Sequence, residues 1–103
     1  MDLIDGIRDK IATSAFELSQ HAVDQTIARS IDLDEVEESI VGGEVIEDYP
    51  EDKYGPSCLN LGFTRAGRPL HVQASYPTRP PVKIITVYEP DPTRGIDFRT
   101  RRP

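Results

Sequence analysis

At Gly42-Gly43 the spacing of apolar residues changes from a helical period to a strict alternation, and this switch divides the chain into a helical first half and a sheet-forming second half. Before the glycines, Leu3, Ile4, Ile7 and Ile11 recur at helical spacing, so residues 2–14 are expected to form an amphipathic helix. Gly6 inside it costs about 1 kcal/mol relative to alanine, which makes the segment dependent on a neighbouring surface. Ala15 to Leu18 reads as a brief extended segment, and Ser19 can then cap a second helix over about residues 20–30, with Ala22, Val23, Ile27 and Ala28 as a narrow apolar stripe. Asp32 and Glu35 form the acidic analogue of a capping box, opening a third helix that runs to about Val41 and buries Leu33, Val36, Ile40 and Val41.

After the glycines, Glu44 to Tyr49 alternates as a strand that Pro50 ends. From Ser57 to Thr64, Leu59, Leu61 and Phe63 share one face while Cys58, Asn60 and Gly62 share the other. Arg65-Ala66-Gly67 is a short hairpin connection into Arg68 to Ser75, where Leu70, Val72 and Ala74 point inward and His71, Gln73 and Ser75 point away. Prolines 77, 80 and 81 forbid regular pairing, and Lys83 to Tyr88, apolar on both faces, reads as a central strand. The expected fold class is therefore α+β: N-terminal helices packed on a curled antiparallel sheet of about four strands. Leu59, Leu61, Leu70, Val72, Ile85 and Val87 are expected in one core beneath Val23, Ile27, Val36 and Ile40.

A chain of 103 residues closes one hydrophobic core. Its expected organisation is an N-terminal helical extension over 1–15, a single α+β domain over 16–91 and a basic tail over 92–103. No apolar run approaches the roughly 18 residues that cross a bilayer, and the N-terminus lacks the basic start and apolar stretch of a signal peptide, so a cytoplasmic location without membrane contact is expected. The net charge of −6 is unevenly spread: residues 1–52 hold 15 acids and 3 bases, residues 53–103 hold 3 acids and 9 bases. Such a field suits an acidic or polyanionic partner at the basic end, or neutralisation of one half by the other within the fold.

His21 to Arg29, Ile31 to Ile40, Ile46 to Pro50, Leu59-Asn60-Leu61-Gly62, Arg68-Pro69-Leu70-His71 and Thr86-Val87-Tyr88, taken in order, resemble the bacterial domain-of-unknown-function family 4258 over about residues 16–91. That family is in turn similar in layout to the RelE and BrnT toxins, small ribonucleases neutralised by an antitoxin. The resemblance implies a RelE/BrnT-like fold, a toxin-like, RNA-acting protein with no metal, and an antitoxin or other protein as partner. Those toxins are typically basic, whereas this chain is acidic, which weighs against RNA because phosphate contacts supply most of the affinity for nucleic acid.

A metal-independent ribonuclease needs a proton donor or acceptor and a cation to steady the phosphorane. His71 supplies the first and Arg68 and Arg29 the second, with His21, Gln73 and Tyr88 as residues that contact substrate. The alternative is a non-enzymatic protein-interaction module of the same fold, in which the sheet and basic tail hold a partner and the two histidines lock helix to sheet. Tyr49, Tyr54, Tyr76 and Tyr88 can stack on bases or serve as strand residues with wet hydroxyls. Cys58 is alone, so internal disulfides and cysteine zinc clusters are excluded, and an inert buried thiol is expected. The histidines stand 50 positions apart with no paired ligand spacing, and the chain has no glycine-rich phosphate loop, nucleophile elbow or dinucleotide fingerprint. No cofactor or metal is expected.

Overall fold

The computed structural model describes residues 3–53, 55–78 and 81–90. Three helices, α1 (Leu3–Ala12), α2 (Gln20–Ala28) and α3 (Leu33–Val41), accompany five strands: β1 (Phe16–Leu18), β2 (Glu44–Tyr49), β3 (Ser57–Phe63), β4 (Pro69–Ser75) and β5 (Val82–Tyr88). The strands form one open, mixed sheet in the order β1-β5-β4-β3-β2. β2 to β5 are an antiparallel meander, as the alternation predicts. The fifth strand is the short extended segment Phe16–Leu18, which pairs parallel with Val82–Ile84 and makes the sheet one strand larger than expected. The expected basic tail over 92–103 and the stacking candidate Tyr54 lie outside the described residues.

The helix starts follow the sequence. The Ser19 hydroxyl accepts from Ala22 N–H at 3.0 Å and donates to the Ile85 carbonyl at 2.9 Å, so one side chain caps α2 and ties it to β5. Asp32 and Glu35 form the full capping box of α3, with Asp32 N–H donating to Glu35 Oε1 at 3.0 Å. In α1, Ile7 and Ile11 are buried in the same cluster as Val36, Ile40 and Val72, so the extension is part of the core. Gly6 faces Pro77, whose Cγ would lie 2.5 Å from a Cβ at that position; the helix tolerates glycine there because the loop crosses it.

The register overturns the expected sidedness of β3. Cys58, Asn60 and Gly62 stand opposite Ala74, Val72 and Leu70, and opposite residues on neighbouring strands share a face. The face under the helices therefore carries Cys58, Asn60, Gly62, Leu70, Val72 and Ala74, joined by Ile84 and Val87. Leu59 and Leu61 belong to the other face, opposite Gln73 and His71; both are buried, but outside the helix-covered cluster. The reason is a close approach: a Cβ on Gly62 would collide with the Ser39 backbone, so only glycine lets α3 lie against β3. Ile85 is unopposed where β5 slips register between Gln73 and Ala74, and it is half-buried.

The helical stripes are also narrower than expected. α3 buries Val36, Ser39 and Ile40 but leaves Leu33 and Val41 exposed, and α2 buries only Ala22 while Ile27 is 74% exposed. α2 lies beside β5 and is held by side-chain bonds to its main chain, Ser19 to Ile85 and Gln25 to Val87, so a wide apolar face is not required. Among the described residues no helix is long and apolar enough to cross a membrane.

Candidate functional site

On β4, alternation sends His71 and Gln73 to the face away from Leu70, Val72 and Ala74, and the antiparallel register brings Leu61 and Tyr88 to either side of His71. His71 Nδ1 and the Tyr88 hydroxyl share a hydrogen bond of 3.1 Å, and the rings meet edge to face with centroids 5.2 Å apart. His71 has no exposed surface and Tyr88 almost none. One pair further along, Gln73 Nε2 donates to Ser57 Oγ at 3.0 Å, and that hydroxyl donates to Asp52 Oδ2 at 3.1 Å. The Tyr49 hydroxyl donates to the Glu47 carboxylate on the same face. Three separate hydrogen-bonded groups, Tyr49–Glu47, Asp52–Ser57–Gln73 and His71–Tyr88, thus lie on this face, interleaved with Leu59 and Leu61.

Arg68 sits at the entrance of β4 and is a junction of three elements. One terminal nitrogen donates to the Ser30 carbonyl at 3.0 Å and lies 3.4 Å from Glu35 Oε1; the other donates to the Arg29 carbonyl at 2.8 Å and to Glu89 Oε1 at 2.6 Å. The Glu89 hydrogen bond, with Glu35 behind it, raises the guanidinium pKa above its ordinary range. The planar fork suits this task, since it reaches two carbonyls at the end of α2 and two carboxylates at once.

Of the residues singled out from sequence, the fold brings His71, Gln73 and Tyr88 onto one sheet face. It does not gather the rest there. Arg68 joins Arg29 only through the latter's main-chain carbonyl, and His21 is exposed at the start of α2, on a different element from the sheet residues. Among the described residues no group of three His, Cys, Asp or Glu side chains is placed to hold a metal. Glu35, Glu89, Ser57 and Asp52, the partners that define these contacts, were not among the residues singled out; only Glu35 had a signal, its place in the capping box.

Cys58 is buried on the helix side, and burial first, with nearby Asp48 second, pushes its thiol pKa to about 11. Asn60 beside it donates to the Val72 carbonyl at 3.1 Å, while its own carbonyl oxygen has no hydrogen-bond partner among the described residues. The Tyr76 hydroxyl donates to Asp48, which pushes the phenol pKa up to about 12.

Residues 18–89 match the family model described as Domain of unknown function (DUF4258). The chain belongs to this family. The matched region of the DUF4258 domain contains His71, Gln73, Tyr88 and every partner of Arg68 named above. Helix α1 precedes it, yet packs into the same core. No curated protein and no solved structure matches the chain.

Proposed function

We propose that this DUF4258 domain is a non-enzymatic protein-interaction module. The observation that carries the reading is the commitment of Arg68 to Glu35, Glu89 and the carbonyls of Arg29 and Ser30, because a ribonuclease centred on His71 needs that cation for phosphate. His71 itself is buried against Tyr88, the arrangement of a histidine that fixes strand to strand. The net charge of −6 further disfavours a phosphate backbone as ligand.

A second reading is a toxin-like, RNA-acting protein of the RelE/BrnT type, cytoplasmic and held by an antitoxin. The His71–Tyr88 hydrogen bond, with Gln73 on the same face, favours it, since an imidazole and a phenol in contact can relay a proton. Expression of the protein without a partner separates the two. An interaction module leaves growth unchanged; a toxin slows growth, and His71→Gln relieves the effect at unchanged melting temperature.

A further inference from the structure

Both faces of the sheet are buried, yet the helices cover only one. α1, α2 and α3 all place their buried apolar residues in the cluster around Cys58, Val72 and Ala74, and Phe16, Leu18 and Tyr76 pack against the same cluster. On the opposite face, Leu59 and His71 are 0% exposed, Leu61 and Tyr88 4% and Gln73 6%. Side chains on one face of a sheet stand side by side, so their neighbours shield the flanks and leave the tips open to water unless a second layer lies on top. Tips this dry require such a layer, and among the described residues no helix supplies it.

The chain continues from the rim of this face. Tyr88, the last residue of β5, stands on it beside His71; Glu89 is held by Arg68 at 2.6 Å, and Pro90 is buried, so the chain leaves β5 against the body of the domain. Three strand spacings, about 15 Å, separate β5 from β2. The thirteen residues 91–103 reach about 40 Å when extended, enough to cross the whole face. Their composition fits the surface. Ile96 and Phe98, two positions apart, project to the same side of an extended chain, and the face offers Leu59 and Leu61 as an apolar floor. Arg94, Arg99, Arg101 and Arg102 outnumber Asp91 and Asp97, and the β2 side of the face carries Glu44 and Glu47, the latter keeping its charge while it accepts from the Tyr49 hydroxyl.

We infer that residues 91–103 are the covering layer: a strap that leaves β5, crosses β4 and β3 over His71, Leu61 and Leu59, and runs toward the acidic β2 side. Ile96 and Phe98 supply its apolar contacts, and the arginines set its direction toward β2. On either reading of the function, a ligand reaches the His71–Tyr88 pair only after the strap is displaced, so this face is a closed intramolecular interface in the free protein.

The two histidines provide the test, because His21 is exposed on α2 while His71 lies under the strap. Acylation of the full chain by diethyl pyrocarbonate, read by peptide mass mapping, should modify His71 about tenfold or more slowly than His21. In the Ile96→Asp/Phe98→Asp variant, His71 should approach the rate of His21, while Cys58, buried on the helix side, stays closed to a thiol reagent. Where the variant opens Cys58 as well, the unaltered chain decides through nuclear Overhauser contacts between Ile96 or Phe98 and the methyl groups of Leu59 and Leu61. Three results would overturn the inference. They are His71 as reactive as His21 in the full chain, His71 still protected with both substitutions in place, or Overhauser contacts that are absent or arise only between differently labelled copies, which would assign the cover to a second copy of the chain.

Discussion

Arg68 donates to Glu89 across 2.6 Å, a contact that joins the entrance of β4 to the end of β5, while the same guanidinium holds the carbonyls of Arg29 and Ser30 just after α2 and the Glu35 carboxylate of α3. Two strands and the α2–α3 connection therefore depend on one side chain. Arg68→Ala should lower stability by about 1–3 kcal/mol, the usual range for hydrogen bonds to charged groups. Arg68→Lys should recover only part of this, because an ammonium cannot span the fork. Thermal or urea unfolding of the two variants checks both; unchanged stability would mean the junction is a surface ion pair of little weight.

Gly62 and Gly42 give a paired prediction about glycine. Gly62→Ala should cost about 1–3 kcal/mol or prevent folding, since its Cβ collides with the Ser39 backbone. Gly42→Ala should be close to neutral, because nothing lies near its Cβ and its φ of −99° suits any residue. Equal effects in an unfolding titration would contradict the close packing of α3 on β3.

These glycines also show what was legible in the sequence. The element boundaries were, because each is set locally: the Ser19 and Asp32 caps, the change of period at Gly42-Gly43, the alternation of β3 and β4. The faces of β3 were not. Leu59, Leu61 and Phe63 look like a core row in isolation, yet register belongs to a pair of strands, and the row that meets the helices is the one that carries Gly62 to admit Ser39. The parallel pairing of Phe16 with Val82 spans the whole meander and leaves no local trace. At the site, alternation placed His71 and Gln73 together correctly, but the 39-residue reach from Arg68 to Arg29 and the 21-residue reach to Glu89 are facts of the folded chain.

Leu61 and Phe63 occupy the same face of one strand with opposite burial, 4% against 47% exposed. Leu61→Ala should cost about 2–5 kcal/mol, the penalty for emptying a buried leucine site. Phe63→Ala should cost clearly less. Melting temperatures in the reverse order would show that the face away from the helices is not packed around Leu61.

Cys58 makes stability depend on alkaline pH. Its thiol pKa is raised from 9.0 to about 11 in the fold, so the native state favours the neutral form. Below the unfolded-state pKa both states are protonated and the full stability is present; as pH rises from 9 toward 11 the unfolded chain releases its proton first and stability falls. The loss should approach about 2–3 kcal/mol, at roughly 1.4 kcal/mol per pKa unit. Cys58→Ala should flatten that decline in urea titrations at pH 8 and above. A parallel decline in the variant would assign the effect to tyrosines such as Tyr76.

On the proposed interaction function, His71 and Arg68 hold the fold together and do not act on RNA. Incubating purified protein with an end-labelled RNA at low ionic strength, where phosphate binding is strongest, tests it most directly. Intact RNA is expected with wild type and with His71→Gln alike, the variant losing about 1–3 kcal/mol of stability through its disturbed bond to Tyr88. Cleavage by wild type that His71→Gln abolishes, at an unchanged melting temperature, would contradict it.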